Sequence, residues 1–355
     1  MMVNKSSYNL SIGYLKAIGI ILMILGHSGN DLHVNNFIYM FHMPLFFIAS
    51  GYCFSQRNLD NPRLFVYKKI KGIWWPYVKW SLVFLVLHNI FFQLNLYNGQ
   101  YGYLNSVSHR YTYDEILNIA IDIILRLQGA EQLLGGYWFL SALFWGSLIG
   151  WVVLRFVKNE LYGGALLFIV CTVLNKTCWQ IPIVALNSQA FTAALFMVIG
   201  YGMAKNKLET FSSWKILFSF FVTCLGSCYW YMELNHLSYS NKCFAPYVFT
   251  ATIATWSIYS LCKRVENHFF LTKTLLSFVG KNTLTVLTWH FLAFKLVSLI
   301  IIFIYGLPIE RLAEFPVISE YALQGWWLAY FSVALMVTLL IAYCNKWIEI
   351  SWLKL

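Results

Sequence analysis

Long apolar runs broken by short polar or basic stretches recur along the whole chain. A run of roughly 17–25 mostly apolar residues is long enough to cross a bilayer as a helix. Such runs fall near 10–29, 36–54, 74–94, 137–157, 161–176, 183–204, 215–233, 245–262, 283–305 and 322–345, of which 161–176 is the shortest. The pattern predicts an all-α, polytopic membrane protein with about ten transmembrane helices. It reads as a single domain over residues 1–355, with no appended soluble domain and no cleavable signal, because the first run is long enough to be retained as a span.

The longest connection, residues 95–136, contains a further helical pattern over 112–127. Thr112 and Glu115 have the capping-box spacing, Asp114 and Glu115 suit the positive end of the helix dipole, and Arg126 suits the negative end. Ile116, Leu117, Ile119, Ile121, Ile123 and Ile124 make this segment too apolar to be solvated all round. It is expected to lie on or dip into the outer leaflet and to shape an entrance for an acceptor.

Composition agrees with the pattern: 59% hydrophobic and 11% charged residues lie far outside the range of soluble domains. The net charge of +11 first suggests an anionic partner such as nucleic acid. The positions of the charges make that reading unnecessary. With the N-terminus inside, 17 of the 25 Lys and Arg residues fall in cytoplasmic segments or at span ends, densest at Arg57, Arg63, Lys68, Lys69 and Lys71. This positive-inside bias places both termini in the cytoplasm and accounts for the charge by topology alone. The eight cysteines lack metal-ligand spacing and read as buried thiols, so no metal is expected. Cys178 and Cys243 both fall in predicted outer loops, where an oxidising compartment permits a bridge.

All fourteen carboxylates lie in loops or at span ends, whereas proton-coupled transporters commonly carry them in the membrane core. The titratable groups within the apolar runs are His27, His42, His88, His290, Lys16, Lys79 and Lys295. Histidine titrates near neutral pH and suits a general base that takes the proton of a hydroxyl. Lys16 and His27, eleven residues apart, share one helix face with roughly 16 Å of rise between them. A base needs a partner on its other ring nitrogen, and for His27 the sequence leaves Asp31, a backbone carbonyl or an Asn open. His88 reads as a hydrogen-bonded core histidine. Trp138 suits an interface anchor and a sugar-stacking wall equally, and Pro44 is expected to bend the second run. Arg63, Lys68, Lys69 and Lys71 are explained either by topology or by contact with nucleotide phosphates.

The pair Lys16 and His27, the stretch FHMPLFFIASGY from Phe41 to Tyr52, YWFLSALF from Tyr137 to Phe144, and GKNTLTVLTWH from Gly280 to His290 together resemble the acyltransferase-3 family of integral membrane acyltransferases. The matches come in the family's order, and Lys16 stands where the family more often has Arg. The resemblance implies His27 as the catalytic histidine, Lys16 as the acyl-donor-binding residue, and His42, Trp138, Asn282 and His290 as pocket residues. It also implies acyl-CoA, with acetyl-CoA as cosubstrate, and an acceptor that is a cell-surface glycan or lipid-linked sugar. The setting it implies is the lipid bilayer of a bacterial plasma membrane. A polysaccharide or lipid-linked-sugar transporter is the alternative, but it leaves the aligned Lys16 and His27 without a purpose.

Overall fold

The computed structural model describes residues 9–102, 105–177, 186–231, 243–266 and 270–352, and its architecture is helical throughout. The first helices are α1 (Leu10–His27), α2 (Leu32–Tyr39), α3 (His42–Tyr52) and α4 (Gln56–Asp60). Next, α5 (Pro62–Lys69) runs through a π-helical turn, Ile70–Trp74, into α6 (Trp75–Gln93). They are followed by α7 (Tyr113–Arg126), α8 (Trp138–Val157), α9 (Glu160–Thr177), α10 (Ser188–Lys205), α11 (Ser213–Tyr229) and α12 (Phe244–Val265). The chain closes with α13 (Phe270–Lys281), α14 (Thr283–Tyr305), the single turn α15 (Ser319–Tyr321) and α16 (Trp327–Trp352).

Among the described residues, four segments are long and apolar enough to cross a membrane: Leu10–His27, Gln132–Val157, Thr283–Tyr305 and Ser319–Lys346. The outer surface agrees with lipid as solvent. Phe303 is 89% exposed and Phe156 and Leu161 are each 75% exposed, apolar area that would drive association in water. The Cys178–Cys243 pairing expected from sequence lies outside the described residues, because Cys178 does.

The core is built around α1, which packs against α2, α3, α12, α13, α14 and α16. Small residues allow the close crossings that such a bundle needs without a hydrophobic drive from water. A Cβ on Gly51 of α3 would stand 1.9 Å from the Met197 carbonyl oxygen, and one on Gly200 of α10 would stand 2.1 Å from that of Ile48. The two backbones therefore touch, and α3 is fixed against α10.

Two expectations are corrected here. The run over 36–54 is not one helix: it breaks at Met40–Phe41 into α2 and α3. Pro44 does not cause the bend. It lies in the first turn of α3, where the missing N–H has no helical acceptor, and so it starts a helix rather than kinking one.

The helix predicted over 112–127 is present as α7, and both halves of its Thr112/Glu115 capping box form. It does dip. Asn89, near the end of α6, exchanges two hydrogen bonds with the backbone of Tyr111, while Trp74, fifteen residues earlier, donates its indole N–H to the Ile124 carbonyl at 3.1 Å. Fifteen helical residues rise about 22 Å, so α7 runs antiparallel to α6 for most of its length. The chain then reverses through Leu127 and Gly129, both with positive φ, and a Cβ on Gly129 would meet Ile119 at 3.1 Å. The result is a helical hairpin. Its return limb, which turns through the 3-10 segment Gln132–Tyr137, lines a cavity.

Candidate active site

Two cavities open along α1, one toward each end. The lower, of about 460 Å³, is lined by Lys16 and Ile20 of α1, Ser50 of α3, Lys68 and Lys69 of α5, and Thr283 and Leu284 of α14. Three lysines and, among the described residues, no carboxylate line it, so its field is positive. Lys68 donates to Asn58 Oδ1 at 3.2 Å and Lys69 to Ser50 Oγ at 3.5 Å, contacts with neutral groups that leave both charges available. Of the four basic residues for which topology and phosphate contact were both open, two line this cavity, while Arg63 and Lys71 are absent from its lining. Phe65, Lys68, Lys69, Gly72 and Ile73 line it at helical spacing, one face of α5 and its π-helical continuation, and Arg63 and Lys71 lie off that face.

The upper cavity, of about 700 Å³, is lined by His27, His42, Trp138 and Trp145, by the amides of Asn35, Gln128, Asn187 and Gln189, and by the return limb of the α7 hairpin. No Lys or Arg lines it, and Glu131 is its one carboxylate among the described residues. Asn35 Oδ1 and Trp145 Nε1 are buried there with no hydrogen-bond partner among the described residues, a costly arrangement that a hydroxyl-bearing ligand would relieve.

His27 stands at the top of α1, and its orientation follows from a chain of contacts. His290 Nδ1 lies 2.9 Å from the Leu287 carbonyl oxygen, and His290 Nε2 lies 3.2 Å from His27 Nδ1. A carbonyl can only accept, so the His290 proton sits on Nδ1 and its Nε2 carries a lone pair. That lone pair accepts from His27 Nδ1–H. The proton of neutral His27 is thereby held on Nδ1, leaving Nε2 as a free base. The rings are stacked, with centroids 5.4 Å apart, and Phe291 packs 5.0 Å from His27. The orienting group is therefore His290 backed by a carbonyl. Asp31 instead caps α2, accepting from His33 N–H at 2.8 Å.

The predicted residues thus separate by role. His27, His42 and Trp138 meet in the upper cavity and Lys16 lines the lower one. His290 is fully buried behind His27 and lines neither cavity. His42 donates from Nδ1 to the Ile38 carbonyl at 3.0 Å, across the Met40–Phe41 break, so its Nε2 is the nitrogen left to a ligand. Asn282 is not a lining residue of either cavity: at the α13–α14 junction its side chain donates to the Phe278 carbonyl at 2.8 Å.

Glu131 escaped the sequence reading because a loop acid is ordinarily solvated. Here it is 4% exposed, its carboxylate 3.0 Å from His88 Nδ1, and the other His88 nitrogen lies 3.0 Å from the His109 carbonyl. The carbonyl fixes a proton on Nε2, so His88 and Glu131 share the remaining proton as a buried pair. Tyr111 stacks on the His88 ring at 3.5 Å. His88 is the hydrogen-bonded core histidine expected from sequence, and it anchors the return limb of the hairpin. Lys295, buried on α14, donates to the Glu314 carbonyl and so holds the Phe315–Pro316 turn that roofs the upper cavity.

No curated protein and no solved structure matches this chain. A family model described as an acyltransferase domain, that of acyltransferase-3, matches residues 9–353. The match begins just before α1 and ends in the last residues of the chain, taking in every element that builds the two cavities, and the chain belongs to the acyltransferase-3 family of membrane acyltransferases.

Proposed function

We propose that the protein is an acyl-CoA-dependent O-acyltransferase of a bacterial plasma membrane. It moves an acetyl or succinyl group from cytoplasmic acyl-CoA to a hydroxyl of a cell-envelope or exported glycan, polymeric or lipid-linked. In this reading ten spans leave both termini in the cytoplasm, and the lower cavity opens inward.

The reading is carried by the His27–His290–Leu287 chain, which leaves the free Nε2 of His27 at the upper cavity, one helix face and about 16 Å from Lys16. The positive lower cavity suits the phosphates of coenzyme A, with the pantetheine arm rising along the Lys16–His27 face of α1. The amides, indoles and unpaired polar atoms of the upper cavity suit a neutral, hydroxyl-rich acceptor. In the reaction, His27 Nε2 takes the acceptor hydroxyl proton as the oxygen attacks the thioester carbonyl carbon. The C–S bond then breaks, the sulfur takes the proton back from His27, and ester and free coenzyme A result. His290 stays neutral and accepts from Nδ1–H throughout. His42 faces the same cavity and binds the acceptor or the carbonyl oxygen.

The test is transfer itself. Purified protein given radiolabelled acetyl-CoA and crude envelope glycan should label the glycan and release free thiol. Uptake of labelled glycan into vesicles without acyl transfer would overturn the reading in favour of transport.

A further inference from the structure

Three apolar side chains, Met23, Met43 and Leu287, line both cavities. They stand at one level on three helices. On α1, Ile20 faces the lower cavity and His27 the upper; on α3 the order is Phe46 then His42, and on α14 it is Leu284 then Phe291. Each shared residue lies between its pair in space, and all three are buried, at 2%, 7% and 5% exposure.

Resting on the acyl-CoA reading above, we propose that Met23, Met43 and Leu287 form a collar that selects the acyl group, admitting a small, uncharged, unbranched one and thus acetyl rather than succinyl. A thioester rising from the lower cavity leads with its acyl end, so that end crosses the collar before the carbonyl carbon reaches His27. Leu287 is the fixed side. A Cβ on Gly136 would already stand 2.8 Å from Leu287 Cδ1, and the Leu287 carbonyl is held by His290. Met23 and Met43 are the adaptable sides, since unbranched thioether chains change rotamer at little cost. The three side chains offer no cation and no hydrogen-bond donor, so a terminal carboxylate would be stripped of water without compensation. A branched chain presents a wider section to the same opening. No bond is made or broken at the collar; it acts on passage alone.

The experiment uses the full chain in lipid nanodiscs, with radiolabelled acetyl-, isobutyryl- and succinyl-CoA and crude envelope glycan. The protein should strongly prefer acetyl-CoA. Met43→Ala and Met23→Ala, which widen the collar from two different helices, should each raise the isobutyryl-to-acetyl ratio by about tenfold or more, the scale on which small apolar pockets discriminate. Met43→Gln, similar in length but polar, should raise the succinyl-to-acetyl ratio. Met43→Trp should stop transfer while calorimetry still records acetyl-CoA binding. Equal use of acetyl and succinyl groups by the unaltered protein, or ratios that do not move in the variants while acetyl transfer persists, would overturn the collar and leave the donor reading standing. Failure of the unaltered protein to take any acyl-CoA would sink the donor reading and the collar with it.

Discussion

Replacing His290 by Leu removes the acceptor of His27 Nδ1–H and nothing that lines either cavity. The neutral hydrogen bond it ends, at 3.2 Å, is worth about 1 kcal/mol, and leaving the His27 N–H buried without a partner costs about 1–3 kcal/mol. If that whole cost falls on the reactive orientation of His27, transfer slows by roughly 5- to 150-fold. The loss should appear in the single-turnover rate and not in acetyl-CoA affinity by calorimetry. His290→Gln places an amide oxygen within reach of the same proton and should recover most of the rate. The double variant His27→Ala/His290→Leu should be no slower than His27→Ala alone, because His290 acts only through His27. A His290→Leu protein that transfers at the unaltered rate, or additive losses in the double variant, would refute the relay.

His27→Ala should lower transfer by about a hundred- to ten-thousand-fold while acetyl-CoA binding persists, since general base catalysis contributes on that scale. Lys16→Ala should instead weaken acetyl-CoA binding, with Lys16→Arg tolerated because charge and reach are kept; calorimetry showing the opposite pattern would reverse the two assignments. Cysteine placed at 68 should react with an impermeant thiol reagent only from the cytoplasmic side and cysteine at 118 only from outside, in a cysteine-free background; labelling of position 68 from outside would overturn the topology. His88→Ala should cost more in thermal stability than Glu131→Gln, by several degrees in a melting assay followed by size exclusion, because a buried carboxylate left without its partner is the more expensive state.

The helical class and the stretches that become helices were legible because apolar run length is a strong, local signal. The α7 cap was equally legible, as Thr112 and Glu115 act over a single turn. Four features were not. The Met40–Phe41 break has no local marker, since Pro44, the conspicuous residue, sits harmlessly in the following first turn. The partnership of His27 with His290 spans 263 positions, and no spacing rule reaches that far. Asn282 was carried in with its motif, although the motif serves the site through Leu287 and His290; its own amide is spent on the Phe278 carbonyl. Glu131 lay hidden for the opposite reason: composition treats a loop acid as solvated, and only the fold of the α7 hairpin buries it against His88.

The charge difference between the cavities bears on direction. On the proposed reading the phosphates of coenzyme A stay among Lys16, Lys68 and Lys69, and no cation lines the upper cavity to draw them further. Carrying a phosphate group through the collar of Met23, Met43 and Leu287 would strip it of water with no ion pair in return, a cost of several kcal/mol per charge. The neutral acyl group meets no such barrier. Only the acyl group and the uncharged arm behind it cross, the nucleotide leaves by the side it entered, and the acceptor sugar never has to pass Met23. The hairpin completes this division, because its return limb walls the upper cavity alone and is anchored there by the His88–Glu131 pair. Loosening that anchor is therefore expected to change how acceptors enter while leaving acetyl-CoA affinity untouched.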